Sequence, residues 1–273
     1  RRHCKHAGDP RFAVTMTSVS TPKRDSEFAS ICRKDFSKFS NSELLSHFKQ
    51  LYVTLQRAKG TGALPEIQPM LGALTSCSIL ENPMKEIRVK AACILCEVFR
   101  HCLPTHPFTS EQVCRVFQLF IQELKELENT GDDIFSQRVV MLQSLSQNST
   151  CVTLIDALVQ VNDNSTAIGN NHSYIGRGDE EDMLLDLFST ALSTVNSQTD
   201  KSVFELIGDI LVTCIFEMED RGVPETILEV LLKPLVPELR NENLSPDNSI
   251  EGNVISINRP PPSYKLVKEL ILF

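Results

Sequence analysis

Tryptophan is absent from this 273-residue chain, tyrosine occurs 3 times and glycine 11 times. That is poor material for an all-β sandwich, which draws on aromatic strands and glycine-bearing turns. It is equally poor material for the glycine-rich loops that cradle phosphates. No apolar run approaches the roughly 18 residues of a bilayer-spanning helix, and no charged-then-apolar leader opens the chain. Both absences speak against integral membrane and secreted classes. GxxxxGK[ST], HExxH, GxSxG and EF-hand loops are missing as well. The six histidines (His3, His6, His47, His101, His106 and His172) fall into no visible nucleophile–base pattern. Nothing positive points to an enzyme, a cofactor, a metal site or a small-molecule substrate.

What is present is a globular composition, 41% hydrophobic and 23% charged, long enough for one large domain or two small ones. The formal charge of -8 is unevenly placed. Residues 1–34 hold eight basic and three acidic groups; the remainder holds 19 basic and 32 acidic groups, a net -13. A body this acidic repels a phosphate backbone, so direct nucleic-acid binding by it is disfavoured. The nine cysteines are odd in number and irregular in spacing, which reads as reduced and intracellular. Cys93 and Cys96 form a CxxC, but within an apolar helical stretch and with no second pair, so they read as buried structural thiols. The Gly169–Gly178 stretch follows no predicted strand. Asp179-Glu180-Glu181-Asp182 reads as acids favoured by a helix start rather than as a cation site. The Asn148, Asn164 and Asn171 sequons read as chance matches.

Amphipathic segments follow one another from residue 41 onward. Asn41-Ser42-Glu43 opens the first, with Leu44, Phe48, Leu51 and Leu55 on one face. A second runs over about 64–80 and a strongly apolar third over about 85–102. Thr109-Ser110-Glu111-Gln112 is a capping box that opens a fourth. Further helices are expected over about 132–146, 149–160, 179–195 and 200–218, then from Pro224 and from Ser263. No period-2 strand pattern competes. Helix pairs recur at roughly 40–45 residues, the spacing of helical-hairpin solenoids. The expected fold is therefore an all-α, HEAT/armadillo-like helical-repeat solenoid over 35–273, cut open at its C-terminal end. A compact helical bundle is the alternative. Residues 1–34 are expected to be a disordered basic arm, of which 1–15 precede the first methionine and read as non-native. Loop insertions are expected at 161–178 and 240–262.

The link Leu103-Pro104-Thr105-His106-Pro107-Phe108 joins the third and fourth helices. Two prolines fix φ and remove two backbone donors, which makes the corner rigid. Such a corner can present Phe108 and unpaired carbonyls to a peptide. The plainer reading is an ordinary helix–helix turn with Phe108 buried.

The stretch Glu86-Ile87-Arg88-Val89-Lys90-Ala91-Ala92-Cys93-Ile94-Leu95-Cys96-Glu97-Val98-Phe99-Arg100, followed by Pro104 and Pro107-Phe108-Thr109, resembles the N-terminal part of the "precocious dissociation of sisters" family of HEAT-repeat cohesin regulators. Phe120-Ile121, Leu124-Lys125, Leu127-Glu128 and Thr130 are similar to the next family block, and the resemblance extends over about 40–273. It implies a nuclear, chromatin-associated helical scaffold without catalysis. The implied partners are the cohesin kleisin subunit, the wings-apart-like release factor, the protector sororin and the cohesin acetyltransferase. By the same resemblance, Leu103, Pro104, Thr105, His106, Pro107, Phe108 and Thr109 match a family motif, Ala-Pro-Asp/Glu-Ala-Pro-Tyr-Thr, at which short partner motifs dock. Thr105 replaces the family's acid, which removes a salt contact to a basic partner residue. Leu103 and His106 replace alanines. A general HEAT or armadillo adaptor in transport or trafficking is the second reading.

Overall fold

Ser40 starts the first helix, α1 (Asn41–Arg57), with a reciprocal cap: its hydroxyl accepts the Glu43 N–H at 3.4 Å while the Glu43 carboxylate accepts the Ser40 N–H at 2.9 Å. This computed structural model describes residues 30–32, 36–58, 64–102, 107–148, 150–156, 179–196, 198–219, 222–235 and 262–271. After α1 come α2 (Leu64–Leu74) and the single turn α3 (Cys77–Leu80). The sequence pattern runs unbroken through both. The break falls where the Ser76 hydroxyl donates to Ala73 O at 2.7 Å and the Thr75 hydroxyl to Leu71 O at 2.9 Å. Such side-chain bonds draw the backbone out of the helix. Asn82 then turns the chain, accepting the Met84 N–H at 3.0 Å and donating to Ser78 O at 3.2 Å.

Helix α4 (Lys85–Cys102) has 14 of its 18 residues buried, which marks it as the spine of the N-terminal half. Next are α5 (Ser110–Lys125), extended by a 3-10 turn at Glu126–Glu128, and α6 (Phe135–Gln147). Residues 152–156 add one more helical turn. The rest is α7 (Asp179–Thr194), α8 (Lys201–Met218), α9 (Glu225–Leu232) and α10 (Pro262–Ile271). Pro224 is the N-cap of α9, one residue before the helix proper.

The helices alternate between two layers. In one, α1 packs along α4, α4 along α6, α6 along α8 and α8 against α10. In the other, α3 contacts α5, α5 packs along α7 and α7 along α9. The layers are joined where α4 touches α2, α3 and α5, and where α5 touches α6. That is the arrangement of a helical-repeat solenoid. It departs from a four-helix bundle, whose members share one central seam. Among the described residues there is no strand, and no helix is long and apolar enough to cross a membrane.

One apolar core runs the whole length of the stack. Phe48, Phe99, Phe117, Phe120 and Phe188 are among its largest wholly buried side chains. At 1.5–3 kcal/mol or so for each large apolar side chain buried, this core supplies most of the stabilisation. Ile31 and Cys32 belong to it, at 4% and 1% exposure. They lie inside the expected basic arm, so the fold begins before residue 34, because an apolar pair next to Phe36 has a core to join. The remainder of the arm, 1–29 and 33–34, and the expected insertions at 161–178 and 240–262 lie outside the described residues, except Pro262, which is the first residue of α10.

Candidate partner-docking corner

Thr109 caps α5 through the same reciprocal geometry that opens α1. Its hydroxyl accepts the Gln112 N–H at 3.2 Å, and Gln112 Oε1 accepts the Thr109 N–H at 3.0 Å. Just before the cap, Phe108 is turned inward, 6% exposed, with its ring centroid 4.9 Å from that of Phe99. Phe99 continues to Phe117 at 6.3 Å and Phe117 to Phe120 at 5.4 Å. Phe108 is therefore the first member of an aromatic row and is not displayed to solvent. Its burial outweighs any tendency of the proline corner to push it outward. Pro107 is half-buried and Thr109 exposed. Leu103, Pro104, Thr105 and His106 lie outside the described residues.

The helix that leads into the corner is tied to α1. His101 Nε2 lies 2.8 Å from Leu55 O and 3.0 Å from Arg100 Nη2. Arg100 Nη2 donates to the same carbonyl at 3.3 Å, and its Nε pairs with Glu97 Oε2 at 2.7 Å. Two basic side chains of α4 thus converge on a carbonyl in the last turn of α1 that also accepts the Ala58 N–H at 3.1 Å. On the other side of the corner, Gln112 Nε2 donates to Thr75 Oγ1 at 3.1 Å. The sequence marks Gln112 as a capping residue but carries no sign of Thr75, Arg100 or His101 as braces, because each pairing spans at least 37 residues or joins an unrelated helix end.

At the opposite end of the α4–α5 hairpin, near the start of α4 and the end of α5, lies a buried ion cluster that no sequence motif announces. Glu123, wholly buried on α5, accepts from Arg88 Nε of α4 at 3.0 Å and from Arg138 Nε of α6 at 2.9 Å. Arg88 also donates to Asn82 O at 2.8 Å, and Arg138 Nη1 pairs with Asp132 at 2.9 Å. Arg138 Nη2 lies 3.5 Å from Glu126, and Lys85 bridges Glu126 at 3.0 Å and Asp132 at 3.4 Å. Three positive and three negative groups therefore close on one another. Burial opposes the Arg138 charge, but hydrogen bonds to Glu123 and Asp132 outweigh it and raise its affinity for the proton. The Arg138 bond and the Ile134 N–H hold the Asp132 carboxyl below its usual range.

The CxxC pair has a structural role. Cys93 Sγ points at Gln137 O, 3.6 Å away, and Cys96 Sγ at Met141 O, 4.0 Å away. Burial pushes the Cys93 thiol up to about 11 and the Cys96 thiol well above its ordinary value, so neither is a ready thiolate. Among the described residues no group of three His, Cys, Asp or Glu side chains is arranged to hold a metal ion.

The family model of the sister chromatid cohesion protein PDS5 matches residues 42–272. Relatives include the PDS5 homologue of Dictyostelium discoideum, 30% identical over 68% of this chain and 12% of its own length. Human PDS5 homologue A is 28% identical over 64% of this chain and 12% of its length. Arabidopsis thaliana PDS5 homologue E is 22% identical over 74% of this chain and 18% of its length. The chain thus spans less than a fifth of the relatives it matches. A chain of a solved Pds5–Scc1 complex superposes with a TM-score of 0.60 over 85% of this chain and 30% of that one, at 21% identity, which shows the fold. With the family match covering most of its length and the helices stacked in the same fold, this chain belongs to the PDS5 family of sister chromatid cohesion proteins.

Proposed function

We propose that this chain acts without catalysis as a cohesin-associated scaffold in the nucleus, and regulates sister chromatid cohesion by docking partner segments at the corner between α4 and α5. Chromatin is reached only through cohesin, since the acidic body repels nucleic acid. The partners proposed are the kleisin Scc1, the wings-apart-like release factor and the cohesin acetyltransferase. The kleisin is the one best supported, because a relative has been solved in complex with Scc1.

The observation that carries the site is the bracing of Pro107–Thr109. A segment pinned by a capping box, an aromatic row and bonds to two neighbouring helix ends loses little freedom when a peptide binds, so contacts made there go further toward affinity. The Thr105 substitution, where the family has an acid, weakens any pairing with a basic partner residue. Restoring the acid is therefore a gain-of-function test.

The full chain and its Pro107→Ala and Thr105→Asp variants would be used to capture partners from nuclear extract, with mass spectrometry of the bound proteins. The expected result is cohesin subunits and release factor on the wild type, less on Pro107→Ala and more on Thr105→Asp. Equal capture by all three would remove the corner from the proposal. Capture of transport cargo or coat components would favour the general adaptor reading.

A further inference from the structure

Helix α5 uses only part of what Gln112 offers, and we infer that the rest makes Gln112 and Thr75 positioning residues for partner docking at Pro107–Thr109. This rests on the docking reading above. The cap itself needs Gln112 Oε1, at 3.0 Å from the Thr109 N–H, and the Gln112 N–H, at 3.2 Å from Thr109 Oγ1. A glutamate would complete the same cap, and its charge would suit the positive end of the helix dipole. The amide contributes one thing that a carboxylate lacks, a donor on Nε2. That donor is aimed at Thr75 Oγ1, 3.1 Å away and 37 residues back at the end of α2.

The direction of this bond is fixed by its surroundings. The Thr109 N–H must donate, so the Gln112 atom facing it is the oxygen and the atom facing Thr75 is the nitrogen. Thr75 is 2% exposed, and its hydroxyl proton is already given to Leu71 O at 2.9 Å. Thr75 Oγ1 therefore accepts. Gln112, Thr75 and Leu71 form a one-way series that links the start of α5 to the last turn of α2.

The two sides of the corner are thus held by different neighbours. The α4 side is fixed to α1 through Arg100 and His101 at Leu55 O. The α5 side is fixed to α2 through Gln112 at Thr75. The capping box sets the local backbone of Thr109, but it cannot set where that backbone sits relative to the preceding hairpin. The Thr75 bond does, and a docking surface loosened by a fraction of an ångström loses the benefit of being prearranged.

The test measures binding of purified wings-apart-like release factor to the full chain by fluorescence anisotropy, with thermal unfolding of each variant alongside. Thr75→Val keeps the volume and removes the acceptor, Thr75→Ser keeps the hydroxyl, and Gln112→Glu keeps the cap and removes the donor. The expected result is binding about five- to tenfold weaker for Thr75→Val and Gln112→Glu, the range of one lost hydrogen bond. Thr75→Ser should bind as the wild type does, and Gln112→Glu should unfold at an unchanged or higher temperature. The double variant Thr75→Val, Gln112→Glu should bind no more weakly than either single one. If both single variants bind normally while Pro107→Ala does not, the corner docks its partner without this brace and the inference fails alone. If Pro107→Ala also binds normally, the docking reading fails and takes the inference with it. Loss of binding in Thr75→Ser would assign the effect to packing and overturn the inference too.

Discussion

The N-terminal and C-terminal halves of this stack are built on one plan but fastened differently. From 36 to 147 the chain carries 11 basic and 11 acidic groups, and from 179 to 271 seven basic and 18 acidic groups. In the first half α4, α5 and α6 are riveted by the Arg88–Glu123–Arg138 cluster, wholly or largely removed from water. In the second, the ion pairs seen among the described residues lie along single helices at the surface, Lys201–Glu205 and Lys265–Glu269. There α9 packs on α7, and α8 on α6 and α10, with Leu184, Phe188, Leu211 and Ile227 buried in the apolar core. The same two-layer geometry therefore does not require buried charge. The cluster's distinct contribution is directional, since a fork of guanidinium donors accepts only one register of three helices.

The comparison is broken most forcefully at Glu123. Glu123→Ala strands two buried guanidinium groups and should cost about 3–5 kcal/mol, read as a lowered urea midpoint. The region should also answer to acid. The folded Asp132 carboxyl titrates below its ordinary value of 3.8, chiefly through its bond to Arg138. Its contribution is therefore in place above that pH and is lost as pH falls through the lower folded value. Asp132→Asn should flatten this acid limb of stability against pH, measured by circular dichroism at fixed temperature.

Local devices should not distinguish the halves. Thr109 caps α5 and Asp200 caps α8, the latter accepting the Ser202 N–H at 2.8 Å. Thr109→Ala and Asp200→Ala should each cost about 1 kcal/mol in thermal or urea unfolding. A much larger loss for either would mean that its cap serves the packing between helices as well. At the small end, Lys201 is 89% exposed, and Lys201→Ala should change stability by at most about 0.5 kcal/mol. A loss comparable to that of Glu123→Ala would erase the contrast.

Features carried by neighbouring residues were legible in the sequence. The Thr109–Gln112 box needs only a spacing of three, and α4 declares itself by unbroken apolar residues from Ala91 to Phe99 with a single charge, Glu97. The resemblance to the family also rests on these local runs. The cluster was not legible, because Arg88, Glu123 and Arg138 come from three helices and each alone reads as an ordinary surface charge. Arg138 also occupies a core position, which blurs the apolar period of α6; its true start is Phe135, after Asp132 accepts the Ile134 N–H in a turn. The corner was half legible. Its prolines announce rigidity, but a short link has no periodicity from which to tell which way Phe108 faces.

Helix α4 has a consequence for synthesis. It is covered on one flank by α1, which precedes it, and on the other by α6, which ends about 45 residues after it. A ribosome adding 5–20 residues per second needs roughly 2–9 s to deliver that second cover. For that interval the apolar side of α4 that faces α6 emerges without its partner and is open to a chaperone.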